Sequence, residues 1–318
     1  MIMMKRKRYH FPLWVILFAF IALNIVANFH AYKFTHFADS AIPKTKDGKH
    51  LSFADKLGVA LLGVNNPRPV DLVTPTQKFE RVVLQSNKSI ECWHLRTDSI
   101  AKGTVIIFHG YGGSKSSMID KSDEFLRMGY NTLLVDFMGS GGSEGNQTTV
   151  GFFEAQEVRT CYDYLAGTGE RHIHLFGTSM GAVAILKALH DYPLQPTSVI
   201  LECPFGSLYK TTCARFKSLG APPFPLAVLL VFWGGIQNGF WALGLNPSEY
   251  AESVKCPALL LYGEQDEKVS RKETDEIFAN MKGFKQLKTY PLAGHENFLS
   301  KYHDEWVKDV GRFLETGK

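Results

Sequence analysis

Hydrophobic and polar positions follow one rhythm from residue 79 onward and another before it. Short apolar, β-branched runs at 79–85, 89–96, 104–108, 131–136, 172–176, 197–202, 257–262 and 286–290 predict strands. Between them, apolar positions at helical spacing predict helices over about 116–128, 150–166, 180–191, 270–281 and 299–315. The first two strands read as a hairpin. The strict alternation after them predicts a mostly parallel sheet covered by helices on both faces.

Before residue 79 the pattern differs. Residues 11–29 hold 19 positions without a charge, and Asn24 and Asn28 are their only strongly polar side chains. A helix of that length, rising about 1.5 Å per residue, just crosses a hydrocarbon core. Two other readings compete, a cleaved signal peptide and a buried helix. The sequence Val26-Ala27-Asn28-Phe29-His30-Ala31 matches a cleavage site only weakly. Residues 30–78 mix Pro43, Pro67, Pro69 and Pro75 with short apolar stretches such as 57–64 and hold no single period, which predicts a tether with one helix.

A second stretch breaks the rhythm. Residues 218–248 contain no charged side chain but carry Phe224, Phe232, Trp233, Phe240 and Trp241. Prolines 222, 223 and 225 and glycines 234, 235, 239 and 244 interrupt any span of about 20 apolar residues. The expectation is an excursion from the sheet that covers a pocket, with Phe224, Phe232 and Trp233 as substrate-facing groups.

Charge sharpens the membrane reading. The net charge of +4 is confined to Lys5, Arg6, Lys7 and Arg8, and the rest of the chain is neutral overall. By the positive-inside rule the amino terminus stays cytoplasmic and everything after the span lies outside. A neutral body lacks the electrostatic term behind most nucleic-acid binding. Five cysteines form no CxxC pair and make a poor disulfide framework or zinc site.

The chemistry-bearing residues lie where predicted strands end. Gly177-Thr178-Ser179-Met180-Gly181 is a GxSxG between a strand and a helix, a turn that holds a serine hydroxyl clear of the backbone. Side chains at Gly177 and Gly181 would press on the neighbouring strand and helix. His109-Gly110-Tyr111-Gly112-Gly113 follows the strand 104–108. Acyl transfer needs two donors for the developing oxyanion; the amides of Met180 and Tyr111 are the candidates, Gly112 lies next in the loop, and His109 shapes it. Asp266 sits in the turn Gly263-Glu264-Gln265-Asp266, and His295 follows the last strand in Ala293-Gly294-His295. Parallel strands end on one edge, so Ser179, Asp266 and His295 are expected to converge there as nucleophile, orienting acid and base. Glu202, Glu264 and Glu267 are rivals to Asp266. His172 and His174 would share a strand face, yet no carboxylate stands at ligand spacing from them.

In this order HGYGG, the run 135–145 (VDFMGSGGSEG), GTSMG, GEQDEKV and AGHENF resemble the α/β-hydrolase superfamily. The nearest branch holds monoacylglycerol-lipase-like, serine-aminopeptidase-like and membrane-anchored hydrolases. The resemblance covers about residues 79–315. It implies an α/β fold with an eight-stranded sheet, a Ser-Asp-His triad, no cofactor, and a cap inserted after the sixth strand, where the uncharged stretch falls at about 205–250. Relatives commonly carry arginine where Met138 stands, which removes whatever ion pair that arginine makes. The triad also argues against a second span within 218–248, because one crossing would separate Ser179 from Asp266 and His295.

Together these readings divide the chain into a basic tail (1–10), an anchor (11–29), a tether (30–78) and a hydrolase domain (79–318). The expected function is a membrane-anchored serine hydrolase acting on an apolar acyl ester or lipid, needing neither cofactor nor metal. A peptidase or amidase on the same triad and a catalytically idle, tethered binding protein are the alternatives.

Overall fold

A computed structural model describes residues 10–45 and 52–317; the basic cluster at residues 5–8 lies outside the described residues. In chain order the elements are α1 (His10–Thr35), α2 (Phe53–Leu62), β1 (Phe79–Gln85), β2 (Ser89–Leu95), β3 (Thr104–Phe108), α3 (Ile119–Arg127), β4 (Asn131–Val135) and α4 (Glu154–Gly167). They continue with β5 (Ile173–Thr178), α5 (Met180–Asp191), β6 (Ser198–Glu202), α6 (Leu208–Ser218), α7 (Leu226–Asn238) and α8 (Pro247–Tyr250). The last are β7 (Ala258–Gly263), α9 (Arg271–Asn280), β8 (Lys285–Tyr290), α10 (Phe298–Lys301) and α11 (His303–Thr316).

The eight strands form one sheet in the order β1-β2-β4-β3-β5-β6-β7-β8. The β1–β2 and β2–β4 pairs are antiparallel and the others parallel. Strands β3, β5, β6 and β7 are nearly or wholly buried because apolar residues serve both faces. On β3, Ile106 and Phe108 join one core with α4 and α5, while Val105 and Ile107 join the other with Phe125 of α3 and Trp306 of α11. This two-sided burial fixes register, since a one-residue slip exchanges the faces of every side chain. The parallel strands therefore end in register, and their following loops meet along one edge.

The segment after the apolar run is not a loose tether. Helix α1 continues past residue 29 to Thr35, with Ala31 and Thr35 buried against the domain. Beyond it, Arg68 donates from its guanidinium to the carbonyls of Gly141 (2.9 Å), Ser143 (2.6 Å) and Gly145 (3.3 Å). Asp71 pairs with Lys115, whose buried ammonium also meets Asp136 and lies 3.1 Å from Glu91 and 4.3 Å from the centre of the Trp93 ring. One cation thus joins the amino-terminal segment to β2 and the end of β4. A buried charge is tolerated only when so compensated.

The cap departs furthest from what its sequence suggested. Prolines and glycines obscure helical periodicity there, yet α6, α7 and α8 form within it, and α7 packs on α1.

Candidate active site

Ser179 occupies the turn between β5 and α5 at φ 51°, ψ −109°, a left-handed conformation that an ordinary residue keeps only when its surroundings impose it. Its amide donates to the Glu202 carbonyl at 2.7 Å. Two glycines make the turn possible. A Cβ at Gly181 would come 2.5 Å from the carbonyl oxygen of Phe108 on β3, and one at Gly177 would come 2.6 Å from the Ala182 nitrogen.

The loops after β7 and β8 bring the other two groups. Oδ1 of Asp266 accepts from the amides of Lys268 (2.8 Å) and Val269 (2.9 Å), which leaves Oδ2 facing Nδ1 of His295 at 2.7 Å. Nε2 of the same ring lies 3.0 Å from Oγ of Ser179. An ionised carboxylate only accepts, so Nδ1 carries the ring proton and Nε2 presents its lone pair to the serine hydroxyl. Such an arrangement can accept the serine proton as the oxygen attacks and return it to a leaving group.

The His109 loop lies against the serine turn: a Cβ at Gly110 would stand 3.3 Å from the Thr178 carbonyl oxygen. His109 is buried and spans the loop, its Nδ1 2.8 Å from the Gly110 carbonyl oxygen while its Nε2 accepts from the Phe137 amide at 3.1 Å. Burial lowers its pKa, which keeps the ring neutral in that role. The Met180 amide is the first of α5, where a helix leaves its N–H groups without intrahelical partners. Tyr111 stacks its ring on Phe34 at 4.8 Å and donates its hydroxyl to the Phe34 carbonyl at 2.6 Å. Arg215 of α6 lies over both rings.

The rival acids are engaged elsewhere. Glu202 is wholly buried and accepts from Thr178 Oγ1 (2.9 Å) and Trp306 Nε1 (2.7 Å). Glu264 accepts from Thr289, and Glu267 lies on the pocket wall. His174 is 2.7 Å from the Ser198 hydroxyl, and burial takes its pKa down to about 4. Among the described residues two groups have metal-ligating donors close together. One is Cys203, Asp266 and His295; the other is Asp71, Glu91 and Asp136, where the Lys115 ammonium already stands.

Ser179 and His295 open into a cleft of about 630 Å³. It is lined by Tyr111, Gly112 and Met118, by Arg215 of α6 and Leu219 just after it, and by Phe34, Val59 and Val64 of the amino-terminal segment. Phe224, Phe232 and Trp233, expected to face substrate, do not line it. Phe224 is exposed, and Trp233 donates its indole N–H to Asn24 of α1 at 3.0 Å. Helix α7 packs on the amino-terminal helix and contributes no side chain to the cleft lining. Sequence reasoning missed Phe34, Val59, Val64 and Arg215 as lining groups. The available signal was slight: Phe34 continues the apolar helix, and Arg215 is one of the last charges before the uncharged stretch.

Met138 is buried, and its amide donates to Glu157 Oε2 at 3.0 Å. Glu157 Oε1 has no hydrogen-bond partner, and burial, with Glu154 nearby, pushes this carboxyl well above the usual range.

The sheet order, serine turn and three converging loops define an α/β-hydrolase. Residues 99–229 match the family described as serine aminopeptidase, S33. The chain is 26% identical over 217 residues to the uncharacterized protein YqkD of Bacillus subtilis (strain 168), covering 67% of this chain and 71% of that one. It is 22% identical over 186 residues to lysophosphatidylserine lipase ABHD12 of Danio rerio, covering 55% of this chain but only 46% of the lipase. Among solved structures, the Pyrococcus furiosus esterase PF2001 superposes with a TM-score of 0.66 at 25% identity, covering 79% of this chain and 97% of the esterase. These likenesses support an α/β-hydrolase fold serine hydrolase similar to the monoacylglycerol-lipase-like branch.

Proposed function

We propose that this protein is a membrane-anchored esterase of lipase type that cleaves an apolar acyl ester through a Ser179 acyl-enzyme. Its likeness to an esterase and to lipases supports ester hydrolysis. The observation that carries the mechanism is the continuous line Asp266 Oδ2, His295, Ser179 Oγ, at 2.7 and 3.0 Å, at the base of the cleft.

Ser179 Oγ attacks the ester carbonyl carbon while its proton passes to His295 Nε2. Asp266 stabilises the imidazolium through Nδ1, and its two backbone donors hold the carboxylate in place. The amides of Met180 and Tyr111 receive the oxyanion, each worth roughly 3 kcal/mol of transition-state stabilisation. Collapse breaks the carbon–oxygen bond of the leaving alkoxide, which takes the proton from Nε2. Water then repeats the sequence on the acyl-enzyme and frees Ser179. Replacing Ser179 by alanine is expected to abolish turnover of p-nitrophenyl butyrate and labelling by a fluorophosphonate; retained labelling overturns the assignment and leaves a tethered binding protein.

A peptidase that captures a substrate amino terminus wants an acidic receptor. Glu296 at the cleft is already engaged by Lys301 at 2.7 Å, and Glu267 is outnumbered there by Lys44, Lys121, Arg215 and Lys268. That balance favours an ester over an amine-ended peptide.

Helix α1 is the anchor in this reading. Leu13–Thr35 contains an 18-residue window with a mean hydropathy of 2.0, would extend about 35 Å, and leaves most of its large apolar side chains exposed. With the basic tail cytoplasmic, the catalytic domain lies on the far side of the bilayer. The anchor predicts that the intact chain stays with membranes through carbonate extraction; recovery in the supernatant sinks it.

A further inference from the structure

The cap helix α7 has an unusual partner. It is 13 residues long, about 20 Å, too short to cross a bilayer, and it lies within the charge-free residues 218–248. It rests on the carboxyl-terminal half of α1, where Ala27 and Ala31 are buried and a Cβ at Gly234 would come 3.7 Å from the Thr35 methyl. One of the two strongly polar side chains among residues 11–29 lies on this side, with a backbone carbonyl one turn on. Asn24 Oδ1 accepts from Trp233 Nε1 at 3.0 Å, and the Asn28 carbonyl accepts from Gln237 Nε2 at 2.8 Å. Small residues at the contact with interhelical hydrogen bonds are how helices associate in hydrocarbon, where burying apolar area gives no drive.

The outward side of the same element is apolar. Phe224, Ile236 and Trp241 are 75%, 55% and 62% exposed. Ring contacts run from Trp241 to Phe232 (6.4 Å) and from Phe232 to Trp233 (5.4 Å), and so reach α1, whose own exposed Ile25 and Phe29 continue the surface. A contiguous apolar patch of this kind on a water-facing domain marks a membrane or protein contact. Its continuity with the apolar surface of α1 selects lipid as the occupant. The cleft lies beside it, walled by Phe34 at the end of α1 and by Leu219 in the link from α6 to α7.

We infer that α7 and its flanks are seated in the outer leaflet beside α1, as a shallow second membrane element, and that the acyl ester passes from that leaflet directly into the cleft. The inference rests on α1 being a membrane span. It makes Trp233 and Asn24 the link between anchor and cap, and Phe224, Ile236 and Trp241 the lipid-facing groups.

Photolabelling of the full chain in phosphatidylcholine vesicles that carry a diazirine in one acyl chain tests it. Adducts on residues 222–241 as well as on α1 are expected. Adducts on α1 alone overturn the seating of α7 while leaving the anchor intact, and adducts on neither overturn both. The double variant Ile236→Asp, Trp241→Ser provides a kinetic arm. Removing two buried apolar groups from lipid is expected to lower kcat/KM for monoacylglycerol held in those vesicles by about tenfold or more, with p-nitrophenyl acetate turnover unchanged. Equal retention of both activities overturns entry from the leaflet. If both activities collapse together, the labelling pattern of the unaltered chain decides.

Discussion

Glycines at the sheet edge and in the cap meet very different surroundings. A Cβ at Gly181 would press on the Phe108 and His109 carbonyls, and one at Gly263 would lie 2.5 Å from the Ala293 carbonyl oxygen and 2.6 Å from that of Gly294. These contacts hold β3 against the serine turn and the Asp266 loop against the His295 loop. In the cap, Gly220 and Gly239, in the turns before and after α7, have open space around the same position, although a Cβ at Gly235 inside the helix would meet the Phe240 carbonyl oxygen at 2.5 Å. The edge is fixed by backbone against backbone, with no flexible side chain to yield, whereas the turns that bound α7 carry no such contact. Tolerances of a few tenths of an ångström thus belong to the chemistry, and adaptability to the surface that meets apolar material.

The largest break in this comparison should come from Asp266→Asn. An amide would turn the His295 tautomer, and kcat is expected to fall about 10³- to 10⁴-fold with little change in thermal stability. Next, Lys115→Met would leave Asp71, Glu91 and Asp136 facing one another without their shared cation, at a cost of about 3–5 kcal/mol at neutral pH. Burial already raises the Asp136 pKa. A carboxyl whose folded pKa lies above its unfolded value destabilises the fold at higher pH, and that penalty fades as pH falls towards the unfolded value. Chemical denaturation should therefore show the variant's deficit narrowing between pH 8 and pH 4.

Gly181→Ala against Gly239→Ala sharpens the contrast directly. The first meets backbone and should cost about 3 kcal/mol along with activity; the second meets only its left-handed φ of 74° and should cost about 1 kcal/mol. Calorimetry of both variants measures the gap, and equal losses would remove the distinction. The smallest effect concerns Glu157, whose pKa burial holds well above its unfolded value, so that stability falls as pH rises above the ordinary glutamate range. Glu157→Gln keeps an acceptor for the Met138 amide and should gain about 1 kcal/mol at pH 8 and nothing at pH 4.

The same division governs what could be read in advance. Runs such as 104–108 and 257–262 announce strands because both faces are buried and nearly every position is apolar. Ser179, Asp266 and His295 were legible as a group because each follows a strand, and parallel strands end together. The cap was not legible in this way. Proline and glycine hide α7, and the hydrogen bond that seats it joins Trp233 to Asn24 across 209 positions. The wall made by Phe34, Val59 and Val64 was equally hidden, since residues 30–78 take their conformation from bonds such as those of Arg68 to the loop at 141–145.

If α1 anchors the chain as proposed, the Phe34–Tyr111 contact changes what it would mean to detach it. Phe34 belongs to the last turn of α1, yet its ring stacks on the loop proposed to supply the second oxyanion donor, and its carbonyl accepts the Tyr111 hydroxyl. A protease that cut after Thr35 would not shed an active ectodomain; it would strip the oxyanion loop of its support and open one side of the cleft to water. Release and inactivation would be one event, confining the activity to the surface where the chain was inserted.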